Sequence, residues 1–307
     1  MTEVMRAAAF TEPGGPEVLK VMELPAPQAG PGQVRVRVRA AGVQPFDTAV
    51  RQGWLPAYLS DPGFPRIPGN EFAGVVDQVG TGVTGLAVGD QVLGFSALFA
   101  YAEYIVVPAT DVAAKPAGVP WEVAGGLTSG VQTAELAIDA MGLADGETLL
   151  VHGAAGSVGT AAVQIARRRG ATVIGTGREV NHDYLRSLGA VPVAYGEGLA
   201  DRVRALAPGG IDAALDGAGG HALEVSLELV EDRGRIVTLV EHEKAAGLGV
   251  RLVQGVRTAE RLGRYAALYA QGAFTFAVRR AYPLAEAAEA HRESETGHGQ
   301  GKIVLTL

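Results

Sequence analysis

The sequence predicts an α/β protein in two parts, a barrel-like β part and a doubly wound parallel sheet. Three observations carry this expectation. Residues 33–43, QVRVRVRAAGV, alternate apolar and polar with period two. Residues 149–170, LLVHGAAGSVGTAAVQIARRRG, run from an apolar strand through a glycine turn into a small-residue helix. From Trp121 onward, strand and helix patterns take turns, the texture of a parallel sheet covered on both faces. A chain of 307 residues has room for about two domains.

Taken in order, the first part reads as β to residue 118. Val34, Val36 and Val38 fall on one face of a half-buried antiparallel strand, with Arg35, Arg37 and Arg39 on a solvated face. WLPAYLSDPGFPRIP, with four prolines, reads as a long surface loop able to wall a binding site. FAGVVDQVG and AEYIVVPA supply further strands. The second part offers strands at 148–152, 172–176, 191–195, 211–216 and 235–240. Helices lie between them, one of them NHDYLRSLGA, with Asn181 as its N-cap and Gly189 just past its end. The tail adds a helix and a last strand, 302–307, which returns to the first part. The expected domains are 1–118, 119–255 and 256–307, the last completing the first.

Composition narrows the function. Hydrophobic residues make up 48% and charged residues 19%, ordinary for a globular chain. A net charge of −7 and a single basic run, Arg167-Arg168-Arg169, argue against nucleic acid as a partner. Cysteine is absent, which removes disulfides, thiolate catalysis and cysteine-containing zinc sites. No stretch approaches the length of a membrane span and the opening residues lack an apolar leader, so a cytoplasmic protein with no membrane partner is expected.

Gly153, Gly156 and Gly159 follow a strand and open a helix, the context in which such a motif binds a phosphate at the helix N-terminus. A tight turn with no ligand is the alternative. The second strand at the expected distance favours a dinucleotide. An NAD site carries an acid at the end of that strand to bind the ribose hydroxyls. Here Thr176 and Gly177 stand in its place, and Arg178 can pair with a 2′-phosphate, which points to NADPH. The competing reading makes Arg178 a solvated loop residue and gives the acid's part to Glu179.

Several segments, AAGVQPFDTAVRQG, PGNEFAGVVDQVGTGVTGLAVGDQV, AEYIVVP, LLVHGAAGSVGTAAVQIAR, SLGA and HRESETGHGQGKIVL, together resemble a known family over essentially the whole chain. They are similar to the zinc-independent medium-chain dehydrogenase/reductases of the quinone oxidoreductase, or zeta-crystallin-like, type. The resemblance implies a GroES-like β-barrel domain, completed by the C-terminal segment, and a Rossmann domain. The zinc-dependent branch has a cysteine and a histidine where this chain has Val43-Gln44-Pro45 and Gly69-Asn70-Glu71, so no zinc is expected. Without a Lewis acid to polarise a plain ketone, the acceptor implied is a quinone or an α,β-unsaturated carbonyl.

The resemblance also assigns residues. Gly153, Gly156, Ser157, Val158 and Gly159 line the pyrophosphate, Thr176 and Arg178 lie near the adenosine ribose phosphate, and Tyr195 flanks the adenine. Thr133 falls where similar proteins contact the nicotinamide, with helix packing as its alternative role. Gly217, Ala218 and Val240 lie along the cofactor, or serve only as turn and strand-end residues. The catalytic candidates are Gln44, which stands where the family usually has asparagine, with Asp47, Thr133 and Tyr58. Tyr101 is a further possible donor, and the proton comes from water if no side chain gives it. His152 is expected to pack beneath the glycine turn. Residues 248–256 resemble a sheet-edge strand used in dimer contacts, implying a homodimer. Two other functions remain open at this point: an enoyl or alkenal reductase with little quinone activity, and a non-catalytic NADPH-binding sensor or structural protein.

Overall fold

The computed structural model describes residues 3–56, 59–297 and 299–307. Its packing divides into two units, Met1–Ser129 with Arg257–Leu307, and Gly130–Val256. The first opens with β1 (Val4–Ala9) antiparallel to β2 (Lys20–Pro25). In β3 (Gln33–Val43) the pleat buries Val34, Val36 and Val38 and exposes Arg37 and Arg39. Arg35 departs from the expected solvated face: it is 4% exposed, 2.8 Å from Asp77, 2.7 Å from Glu3 and 4.6 Å from the Tyr104 ring centroid. Two carboxylates and an aromatic face compensate a guanidinium that the pattern alone would leave in water.

Helix α1 (Pro45–Arg51) begins immediately after β3, where Pro45 presets the first helical φ and the Asp47 carboxylate accepts the Gln44 N–H at 3.1 Å. Four strands follow: β4 (Glu71–Val79), β5 (Gln91–Phe95), β6 (Tyr104–Pro108) and β7 (Val112–Ala114). Each pairs antiparallel, β4 with β3 and β5, β6 with β3, and β7 with β5. Helix α2 (Trp121–Met141) then carries the chain past Ser129 into the residues of the second unit.

That unit alternates β8 (Thr148–His152), α3 (Ser157–Arg168), β9 (Thr172–Gly177), α4 (His182–Ser187), β10 (Val191–Ala194) and α5 (Leu199–Leu206). It continues with β11 (Ala213–Asp216), α6 (His221–Leu229), β12 (Ile236–Thr238), α7 (Ala245–Leu248) and β13 (Arg251–Leu252). The six strands are parallel in the order β10-β9-β8-β11-β12-β13. Their apolar runs, among them Leu150, Ile174, Val193, Ala214 and Ile236, are buried in one core. The chain winds outward from β8 to β10, then restarts at β11 on the other side of β8. This places a topological switch point at the carboxyl ends of β8 and β11. Asn181 precedes α4 as expected, although its side chain makes no capping bond, and Gly189 follows it at φ +90°.

The chain returns to the first unit through α8 (Ala259–Ala270), where Thr258 accepts the Arg261 N–H at 3.1 Å as an N-cap. It ends with β14 (Val278–Pro283), α9 (Ala287–Glu295) and β15 (Lys302–Thr306). β15 runs antiparallel to β3 and parallel to β14, giving a sheet in the order β14-β15-β3-β4-β5-β7 with β6 also on β3. The last strand therefore pairs within the sheet of the first unit. Among the described residues no helix is long and apolar enough to cross a membrane.

Candidate functional site

In the second unit the three glycines do three different jobs. Gly153 turns the chain at φ +70°, where a side chain is strained. Gly159 lets α3 pack on the turn, since a Cβ there would lie 2.3 Å from the Gly153 carbonyl oxygen. Gly156 does neither. Its φ of −72° and ψ of 174° suit any residue, and a Cβ would meet the protein only at an ordinary 3.4 Å. Space is kept there without an internal need for it, which fits the close approach of a dinucleotide pyrophosphate. Ser157 and Val158, partly exposed in the first turn of α3, present backbone N–H groups to the same place.

The other expected cofactor residues end the neighbouring strands. Thr176, 2% exposed, ties the turn to β9: its carbonyl accepts the Ala154 N–H at 3.1 Å and its hydroxyl the Gly153 N–H at 3.3 Å. Arg178 and Glu179 follow β9 and are both exposed. Tyr195 after β10 and Val240 after β12 are 52% and 48% exposed. Gly217 and Ala218 follow β11, where Asp216 accepts the N–H groups of Ala218 and Gly219 at 3.0 and 2.7 Å and the Thr238 hydroxyl at 2.8 Å. Thr133 lies on α2, half-buried. His152 is buried at the end of β8 as expected, but neither ring nitrogen has a partner among the described residues. Burial pushes its pKa down to about 4, with Asp216 opposing, so it is neutral.

The first unit holds a buried polar cluster of a different kind. The Lys302 ammonium lies 2.6 Å from Glu71 Oε1 and donates to Gln44 Oε1 at 2.5 Å and Ser129 Oγ at 3.0 Å. Three protons meet three acceptors. Glu71 Oε2 accepts the Ser129 N–H at 2.7 Å, while the Gln44 amide donates to Asn70 and accepts from the Ser129 hydroxyl. Gly42 permits this packing, because a Cβ on it would stand 2.0 Å from Glu71 Oε1.

Beside the cluster, Asp47 Oδ2 accepts the Tyr101 hydroxyl at 2.9 Å. Burial pushes the Asp47 pKa up to about 7, against the pull of Lys302 and of the Tyr101 hydrogen bond. Burial and the Asp47 charge together raise Tyr101 well above the usual phenol range. Its hydroxyl is thus already engaged. Tyr58 lies outside the described residues. Sequence reading found Gln44 and Asp47 but missed Lys302, Glu71, Ser129, Arg51 and His291. Two signals were available: a lysine opening the apolar run KIVLTL, and an acid leading FAGVV.

The C-terminal half matches a family described as zinc-binding dehydrogenase over residues 188–305, and residues 30–117 match the alcohol dehydrogenase GroES-like domain. The implied zinc does not fit the Lys302 cluster. Zinc takes thiolate, imidazole or carboxylate, whereas Gln44 and Asn70 are amides, Ser129 is a hydroxyl and Glu71 is already paired with an ammonium. The chain is 31% identical to the quinone oxidoreductase of Rattus norvegicus over 331 residues, covering 99% of this chain and 98% of that protein. It is 34% identical over 295 residues to polyketide synthase GfsB of Streptomyces halstedii, of which it spans only 5%. The quinone oxidoreductase structure from Coxiella burnetii superposes with a TM-score of 0.89 at 28% identity, covering 99% of this chain and 100% of that one. With 31% identity over nearly the whole length of such an enzyme, a match to the GroES-like domain and a fold that superposes on a quinone oxidoreductase, this chain belongs to the quinone oxidoreductase family of medium-chain dehydrogenase/reductases.

Proposed function

We propose that the protein is a metal-free, NADPH-dependent oxidoreductase that passes a hydride to a quinone or an α,β-unsaturated carbonyl. The observation that carries this reading is Gly156, a glycine whose fold has room for a Cβ and whose position at the start of α3 suits a phosphate. The bound nicotinamide supplies the hydride. The chain's own task is to hold and orient. Gly153, Gly156, Ser157, Val158 and Gly159 receive the pyrophosphate, and Thr176 fixes the turn against β9. Arg178 pairs with the 2′-phosphate, since β9 ends in Thr176 and Gly177 with no acid. Tyr195, Gly217, Ala218 and Val240 flank the cofactor, with Thr133 toward the nicotinamide.

In the first unit an ammonium already satisfies Glu71, so no Lewis acid acts there. A conjugated acceptor suits such a site, because it spreads the developing negative charge onto an oxygen that a few donors can stabilise. Gln44 keeps one amide proton beyond the one given to Asn70, and that proton is the donor we assign to the acceptor oxygen. Water supplies the final proton. The reading includes a cytoplasmic homodimer paired through the exposed edge at β13, with a monomeric mass in solution as the result against it.

Two substitutions test the cofactor. Arg178→Ala is expected to weaken NADPH binding by at least roughly tenfold, the value of a charge-assisted contact, while leaving NADH nearly unchanged. Gly156→Val is expected to keep the parent's melting temperature and lose both dinucleotides. Fluorescence titration of the bound nicotinamide measures both, and equal losses of NADPH and NADH in Arg178→Ala would contradict the assignment. A second reading is an enoyl or alkenal reductase with little quinone activity. Relative rates with 9,10-phenanthrenequinone and a simple enone separate the two.

A further inference from the structure

Asp47 is fully buried, and only one of its carboxylate oxygens is partnered. Oδ2 accepts the Gln44 N–H at 3.1 Å and the Tyr101 hydroxyl at 2.9 Å, whereas Oδ1 has no partner among the described residues. Chemistry fixes the direction of the hydrogen bonds behind Tyr101. Arginine only donates, so Arg51, 3.1 Å from His291 Nδ1, leaves the His291 proton on Nε2. That nitrogen faces the Tyr101 hydroxyl at 3.4 Å. Three donors, Arg51, His291 and Tyr101, therefore point one way, from a guanidinium toward a carboxylate. The arrangement is built for ionised Asp47, yet its burial works against the charge.

The charged and titratable groups around Asp47 come from five places. Arg51 lies on its own helix, and Tyr101 lies before β6. Glu71 opens β4, Lys302 opens β15, and His291 and Glu295 lie on α9. Glu295 pairs with Arg51 and Glu71 with Lys302, so each of those charges is partly offset by its neighbour. His291 is held neutral by burial and by Arg51, its pKa pushed down to about 3. Asp47 is pushed up to about 7, so its charge changes near neutrality. Gln44 joins the two networks: its main-chain N–H belongs to Asp47, and its side chain to Lys302, Ser129 and Asn70.

We propose that Asp47 is a positioning residue whose negative charge holds Gln44 in register with the Lys302–Glu71–Ser129 cluster, and that protonation of Asp47 releases Gln44 and slows the reaction. A carboxylate accepts a hydrogen bond about twice as strong as a neutral oxygen does. Loss of that charge weakens the bond that sets where the Gln44 backbone starts α1. The activity part of this proposal rests on the reductase reading above; the spectroscopic part does not.

The test follows kcat with NADPH and 9,10-phenanthrenequinone in the purified protein between about pH 6 and about pH 8. Activity is expected to fall roughly fivefold to tenfold toward acid, as a charge-assisted bond becomes a neutral one, with the inflection near 7. Asp47→Asn is expected to stay low and flat, with KM for NADPH unchanged. Tyr101→Phe, which removes a bond that stabilises the carboxylate, is expected to move the inflection upward. Infrared difference spectra between the same two pH values are expected to contain the carbonyl stretch of a protonated carboxyl, absent in Asp47→Asn. An inflection that persists in Asp47→Asn, or a parent protein with no such band at the acid pH, overturns the proposal. If Asp47→Asn does not fold, an unmoved inflection in Tyr101→Phe overturns it instead. Inactivity toward every acceptor would remove the reductase reading and leave the infrared result to decide whether Asp47 titrates.

Discussion

Lys302→Met is expected to destabilise the protein by about 3–5 kcal/mol, because it leaves the Glu71 carboxylate buried with its countercharge gone. Glu71 is 0% exposed and Lys302 2%, so neither charge can turn to solvent for relief. The Ser129 N–H that still reaches Glu71 is a neutral donor and does not replace an ammonium 2.6 Å away. Glu71→Gln added to Lys302→Met is expected to recover most of the loss, since an uncharged pair no longer pays for desolvation. Denaturant unfolding of the parent, the two single variants and the double variant gives the coupling directly. Additive losses would mean that the pair does not interact as the geometry says.

His152→Phe is expected to remove about 3 kcal/mol of acid sensitivity. In the folded protein burial pushes this histidine from the ordinary 6.5 down to about 4. The unfolded chain therefore binds a proton in that window while the folded chain does not, and stability falls as the pH drops from 6.5 to about 4. Asp47, raised to about 7, acts in the opposite sense between that value and 3.8, because the folded state then holds the extra proton. Its contribution is the same in parent and variant and cancels in their difference. At neutral pH the ring nitrogens of His152 have no partner among the described residues to lose, so His152→Phe is expected to be neutral or slightly stabilising. Urea midpoints of parent and variant at neutral and acid pH check this; a constant gap between the two curves would contradict it.

What the sequence made legible follows the range of the interactions. The period-two alternation of residues 33–43 and the strand, glycine turn and helix at 148–168 are local, and both elements form where the pattern placed them. β12 and β13, of three and two residues, are too short for a pattern to bound. The buried polar cluster was the least legible. Gln44, Glu71, Ser129 and Lys302 come from four distant segments, and Asp47 meets His291 only through Tyr101. No local spacing announces such a network; each residue alone reads as a cap, a strand end or a surface charge. Arg35 shows the same limit on a smaller scale, since its partners Glu3 and Asp77 are brought to it by strands far apart in the chain.

The most direct test of the account is acceptor-dependent oxidation of bound NADPH, followed by the fluorescence of the protein-bound nicotinamide as 9,10-phenanthrenequinone and then a simple enone are added. The account predicts saturable binding of NADPH in preference to NADH, and decay of the bound signal with at least one of the two acceptors. Tight NADPH binding with no decay across a panel of quinones and conjugated carbonyls would contradict it.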